Sequence, residues 1–166
     1  MKAVADKLTS LANDELDVGL QNLYGRSAFN RYYYCIFLVT RDLLREYKVE
    51  WSKSKHKQIP DILVVTFKKE LIKEVKKTLR HNLVTESEAS KAITQIRTST
   101  AELSSLLIEA YDARCIADYE PEVLLNNLDK NLLLGEYKLN TASTWPSKAQ
   151  SYCKSIRRIL KDYALV

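Results

Sequence analysis

The sequence predicts an all-α protein, an up-down helical bundle of about five to six helices. Three observations carry that expectation. Only 3 of 166 residues are glycine and 3 are proline, against roughly 12 and 8 in average usage. Turn-rich β folds and flexible linkers need more of both. Apolar residues recur at steps of three and four over long stretches, which is helical spacing. Those stretches are joined by short polar segments, as in a bundle. At 46% hydrophobic and 28% charged residues, the chain suits a globular domain rather than a disordered one. Its length fits a single domain over residues 1–166.

The first element, roughly residues 2–23, places Val4, Leu8, Leu11, Ala12, Leu16, Leu20 and Leu23 on one stripe. Gly19 and Gly25 loosen this region, so a break between two helices is expected near them. The second helix, about 26–48, is apolar over more than half its circumference and should be the most buried. Residues 49–58, VEWSKSKHKQ, read as a polar, basic loop. Pro60 suits the first turn of the next helical stretch, residues 59–80, which forms one helix or two. Thr85 followed by Glu88 is a capping-box pattern opening a long helix to about residue 117. Pro121 ends it, and residues 122–144 read as a short helix and a loop around Gly135. Pro146 opens the closing helix, residues 146–166, basic on one face and apolar on the other.

Charge is unevenly distributed. Residues 48–80 hold 10 basic against 4 acidic side chains, residues 81–145 hold 5 against 10, and residues 146–166 hold 5 against 1. A basic excess of this kind marks either a nucleic-acid surface or the solvated faces of amphipathic helices. Cys35, Cys115 and Cys153 are odd in number and form no C-x-x-C pair, so neither a disulfide framework nor a zinc site is expected. His56 and His81 are too few for a histidine metal centre. An acidic N-terminal stretch and the lack of long apolar runs lead us to expect a cytoplasmic protein with no membrane span.

Several residues break the helical pattern. Stepping from Leu103 through Leu107 and Ala110 brings Arg114 onto the apolar stripe. A guanidinium cannot shed its charge, so there it needs acceptors or an opening to solvent. One reading is an ion pair with Asp118, four residues on, or a snorkelling side chain. The other is an Arg lining a cleft and binding an anion. Tyr119 either caps the core with its ring or offers its hydroxyl to a phosphate. Tyr32, Tyr33 and Tyr34 cannot all face the core, since successive helical residues point about 100° apart. The three glycines are isolated, so no glycine-rich phosphate loop exists.

These residues resemble a known family. Ser27-Ala28-Phe29-Asn30-Arg31-Tyr32-Tyr33-Tyr34-Cys35-Ile36-Phe37 is similar to the second helix of HEPN (higher eukaryote and prokaryote nucleotide-binding) domains. Lys55-His56 resembles the K-x-H segment that follows it. Arg114-Cys115-Ile116-Ala117-Asp118-Tyr119 resembles the R-x-x-A-D-Y motif of one subgroup. The resemblance implies an all-α bundle that forms homodimers, with the Arg motifs of two subunits meeting in a cleft. Many such proteins are metal-independent ribonucleases acting as toxins or antiviral effectors. They are often encoded with a nucleotidyltransferase antitoxin or work in a defence complex.

On that basis Arg114, Tyr119 and Asp118 are the expected catalytic residues. Asn30, Arg31, Tyr34, Lys55 and His56 are the expected RNA- or nucleotide-binding residues, with no metal and no cofactor. The family's R-x4-6-H motif carries its proton-transfer histidine four to six intervening residues after the Arg. In this chain those positions are Tyr119, Glu120 and Pro121. A tyrosine hydroxyl, ordinarily near pKa 10, is a weak general base at neutral pH. The alternative expectation is therefore a non-catalytic HEPN-like subunit that binds nucleotide, dimerises or docks an enzymatic partner.

Overall fold

The computed structural model describes residues 1–128 and 131–164. It is mostly α-helical, with α1 (Lys2–Asp14), α2 (Val18–Tyr47), α3 (Ile59–Asp61), α4 (Lys68–Arg80), α5 (Glu86–Tyr119), α6 (Leu139–Ala142) and α7 (Trp145–Asp162). A small antiparallel sheet is formed by β1 (Leu125–Leu128), β2 (Asn131–Leu134) and β3 (Tyr137–Lys138). Helices dominate, as the glycine and proline counts require. By contact density the chain divides into two compact units, Met1–Leu38 with Leu107–Lys148, and Val39–Leu106 with Ala149–Val166.

In the first unit, α1 ends earlier than the apolar stripe predicts. Asp17 starts α2, its carboxylate accepting from the Leu20 amide at 2.8 Å as an N-cap does. Gln21 Nε2 donates to the Ala12 and Glu15 carbonyls and holds the corner. The helical phase therefore resets at residues 15–17. Leu16, Leu20 and Leu23 consequently stand exposed, while α1 buries Ala5 and Ala12. Gly19 and Gly25 lie inside α2 rather than at a break. At Gly25 a Cβ would run into the Leu125 side chain, so the glycine permits close packing of β1 on α2.

Two of the three consecutive tyrosines, Tyr32 and Tyr33, are buried, and Tyr34 is half-buried. Tyr32 Oη donates to Asp6 Oδ1 at 2.9 Å and lies 3.0 Å from Thr9 Oγ1, joining α2 to α1. Phe29 and the buried Trp145 ring pack with centroids 6.1 Å apart.

The segment expected to form a short helix and loop over 122–144 instead forms the sheet, followed by α6. Leu132 and Leu134 are buried while Asn131 and Leu133 are half-buried, a period-two pattern that wins over leucine's helical propensity once one face packs. Gly135 does sit in the turn, at φ +59 between β2 and β3, as a two-residue hairpin loop favours.

In the second unit, residues 49–58 wind into two 3-10 turns, Val49–Lys53 and His56–Gln58. Residues 59–80 run on through a π-helical turn over Ile62–Phe67 that links α3 to α4. That turn contains Val64, Val65 and Thr66, β-branched side chains that crowd a regular helix. The Pro60 carbonyl accepts from Ser104 Oγ at 3.2 Å. Asn82, at φ 56, ends α4 in the left-handed region, where the Leu83 amide donates to the Thr78 carbonyl in a helix C-cap.

The expected capping box opens α5. The Thr85 amide donates to Glu88 Oε2 at 2.8 Å, and the Glu88 amide donates to Thr85 Oγ1 at 3.2 Å. Within this unit α5 buries Ala89, Ala92, Ile96, Thr100 and Leu103, and α7 buries Ala149, Cys153, Ile156, Ile159 and Leu160. Arg157 grips Glu46 in a two-pronged ion pair, Nε to Oε2 and Nη2 to Oε1, both at 2.8 Å.

Burial pushes the Cys153 thiol up from 9.0 to about 12, and burial pushes the Tyr32 hydroxyl up from 10.0 to about 12. The folded chain thus holds protons that the unfolded chain releases. Stability is intact below pH 9 and falls as pH rises toward 12. Urea midpoints measured from pH 8 to pH 11 are expected to show a decline beginning near pH 9. In Cys153→Ala the decline near pH 9 is shallower but persists, because burial also raises the Cys35 thiol, and it steepens where tyrosine takes over.

Candidate functional site

Five residues of the expected set, Arg114, Asp118, Tyr119, Asn30 and Arg31, meet in the first unit, on facing stretches of α2 and α5. Arg114 and Asp118 pair one turn apart, Nε to Oδ2 at 2.6 Å, with side chains only 15% and 25% exposed. The contact is an ion pair rather than a directed hydrogen bond, since the buried Nε–H has no aligned acceptor among the described residues. Of the two readings of Arg114, the i,i+4 pair forms.

Asn30 Nδ2 donates to both oxygens of Asp118, at 2.8 and 3.0 Å. The carboxylate is therefore held by a cation from its own helix and an amide from α2. The Arg114 guanidinium carbon lies 5.0 Å from the Tyr119 ring centroid, a cation–π contact. Tyr119 is 67% exposed, so its ring does not cap the core. Tyr33 packs edge-on to Tyr34 and to Tyr111, at 5.4 and 5.7 Å. Burial raises its hydroxyl above the ordinary tyrosine range, against an opposing pull from Arg114. It therefore stays protonated at neutral pH.

The geometry depends on Arg26, which spacing alone did not single out. Its Nε donates to the Ala117 carbonyl at 2.9 Å and Nη2 to the Ile116 carbonyl at 2.9 Å. Nη1 donates to the Val123 carbonyl at 2.6 Å, and both Nη atoms reach the Glu120 carbonyl, at 3.2 and 3.1 Å. The last carbonyls of a helix have no partner within it and carry its negative dipole end. Here one planar cation satisfies the Ala117 and Val123 carbonyls, adds to the backbone bonds already made at Ile116 and Glu120, and fastens the end of α5 to α2. The signal lay in the spacing of Arg26, Ser27, Asn30 and Arg31, which share a helical face. That face shows only if α2 starts well before residue 26.

Beside this cap lies a pocket of about 200 Å³ lined by Arg26, Ser27, Asn30, Arg31, Ala117 and Asp118. Its size is below the roughly 300–1,000 Å³ typical of whole small-molecule sites. Arg31 is exposed and, like the Ser27 hydroxyl, has no hydrogen bond or ion pair among the described residues. Counting Arg114, which offsets Asp118, the surroundings are cationic through Arg26 and Arg31.

The remaining expected residues fall elsewhere. Tyr34 packs on Tyr33 and Phe37 without lining the pocket. Lys55, exposed, and His56, half-buried, belong to the second unit. Neither lines the pocket, and neither does His81. Among the described residues no group of three or more His, Cys, Asp or Glu is placed to hold a metal ion. No helix there is long and apolar enough to cross a membrane.

No family model, curated protein or solved structure matches the chain.

Arg26→Ala is expected to destabilise the protein by about 2–3 kcal/mol, since hydrogen bonds from a charged donor are lost and the part-buried Ala117 and Val123 carbonyls are left open. That is a drop of several degrees in melting temperature for a chain of this size. Arg26→Lys recovers little, because a point-charge ammonium cannot reproduce the fork. Calorimetric melting of the three proteins checks both statements.

Proposed function

We propose that this is a HEPN-like, RNA-directed protein that holds a phosphate group of RNA or of a nucleotide in the pocket beside the α5 terminus. The observation that carries the reading is the unpartnered Arg31 guanidinium and Ser27 hydroxyl sharing a small cationic pocket with the R-x-x-A-D-Y motif. A phosphate oxygen suits the Arg fork and a hydroxyl donor. The pocket has room for a phosphate rather than for a whole nucleotide, leaving base and sugar outside. Asn30 and Arg114 fix Asp118, so its charge is compensated and does not repel the anion. A dimer would set two such pockets in one cleft, as the family resemblance implies.

The favoured version is non-catalytic. A general base must reach the proton it removes and be free to accept it. Asp118 is engaged by one amide donor and an ion pair, the Tyr33 hydroxyl is protonated at neutral pH and its pKa raised further by burial, and no histidine lines the pocket. The second reading is a metal-independent endoribonuclease, a toxin or antiviral component. It is favoured by Arg114 lying half-buried beside Tyr119, where it could stabilise charge developing on a phosphate.

Labelled RNA incubated with the protein in EDTA separates the two. The favoured reading expects the RNA to stay intact with wild type and with Arg114→Ala alike. It also expects binding to weaken about tenfold in Arg31→Ala, the loss of one charge-assisted contact. Cleavage by wild type that disappears in Arg114→Ala would establish the nuclease. Unchanged binding by Arg31→Ala would remove the pocket from the function.

A further inference from the structure

The second unit carries a feature that the pocket does not use. On α4, Lys69, Lys73, Lys76 and Arg80 follow one another at steps of four, three and four. At 3.6 residues per turn these positions lie within about 60° of one another, along a rise of roughly 16 Å. All four are exposed, and none forms an ion pair or hydrogen bond among the described residues. The acidic residues of the same helix lie off this line and are already engaged. Glu70 pairs with Lys48 at 2.7 Å and Glu74 with Lys77 at 3.8 Å.

Such an arrangement works against the helix. Like charges three and four residues apart repel one another and destabilise it, and here no intramolecular partner offsets the repulsion. Only Arg80, in the last turn, gains from the helix dipole. An evenly spaced row of free cations matches a partner whose own charges repeat along a line.

We propose that the Lys69–Lys73–Lys76–Arg80 face of α4 binds the phosphodiester backbone of RNA. The inference shares its ligand with the reading above but rests on different residues in the other unit. A lipid surface fits less well. A helix lying in a bilayer interface inserts its apolar side, and on α4 that side is spent on the core through Leu71 and Val75, both fully buried. What remains outward is charge alone, which reads a backbone without reading its sequence. Binding should therefore be insensitive to base composition and steeply dependent on salt.

Each single-strand phosphate contact contributes about 0.7 to the slope of log affinity against log salt, so four contribute about 2.8. Between about 50 and 200 mM salt that amounts to roughly a 50-fold loss of affinity. The test titrates a short labelled single-stranded RNA at both salt concentrations into wild type and three variants. These are Lys69→Gln/Lys73→Gln/Lys76→Gln/Arg80→Gln, Lys69→Arg/Lys73→Arg/Lys76→Arg, and Arg31→Ala. The Gln variant should bind weakly, lose about 2.8 from the slope, and melt no lower than wild type. The Arg variant should keep affinity and slope.

Wild-type affinity and slope in the Gln variant would overturn the inference. So would a Gln variant that keeps RNA binding but loses association with phosphatidylserine vesicles, which would assign the face to a membrane. Loss in the Gln variant with none in Arg31→Ala removes the pocket and leaves the track. The reverse removes the track and leaves the pocket.

Discussion

The Arg26 guanidinium holds the candidate site in being. It lies on α2, and the carbonyls it binds, from Ile116 to Val123, come about ninety residues later. Without it the part-buried Ala117 and Val123 carbonyls would be left open around the end of α5, where an unsatisfied acceptor away from water is costly. With it, Asn30, one helical turn along from Arg26, comes opposite Asp118. The contact between Asn30 and Asp118 is a consequence of this cap, and so is the placement of Ser27 and Arg31 at its margin. Gly25 belongs to the same constraint, because only a residue without a Cβ lets Leu125 pack against the helix at this point.

Three arginines meet around this helix end, and their differing states of engagement divide the work. Arg26 spends its donors on backbone carbonyls and is structural. Arg114 is half-buried and neutralised by Asp118, so any anion approaching it must compete with a carboxylate 2.6 Å away. Arg31 is exposed and uncommitted. On the proposed reading, an incoming phosphate gains most from the cation that gives up least, which would make Arg31 its primary ligand and Arg114 a source of background potential. Spacing on the apolar stripe singled out Arg114, whereas Arg31 entered only as a binding residue that the family resemblance implies.

That difference shows where a sequence is legible. Helix identities, the Thr85–Glu88 capping box, Pro60 in its first turn and the buried faces of α5 and α7 all follow from local pattern. So does the Arg114–Asp118 pair, which needs only one helical turn. What local pattern misses depends on distant chain. The start of α2 is set by Asp17 and Gln21 gripping the end of α1, which moves the break away from the glycines. The sheet exists because short leucine-rich strands find one another and a packed face. The role of Arg26 is hard to read for the same reason: the face it shares with Ser27, Asn30 and Arg31 shows only once the start of α2 is known, and its partners are carbonyls that every residue has.

The α4 face follows the opposite logic to Arg26. There a half-buried cation caps open acceptors, so it serves stability. On α4 three successive like-charged pairs each oppose the helix by about 0.2–0.5 kcal/mol. With stabilities near 5–15 kcal/mol for whole domains, a total of about one is tolerable but not neutral. Screening at physiological ionic strength, with a Debye length of about 8 Å, lowers the penalty yet does not reverse its sign. Solvation alone would be served equally by alternating charges, which stabilise a helix instead. The departure from alternation on this face, beside Glu70 and Glu74 placed where they do pair, is what the proposed contact with a linear polyanion would account for.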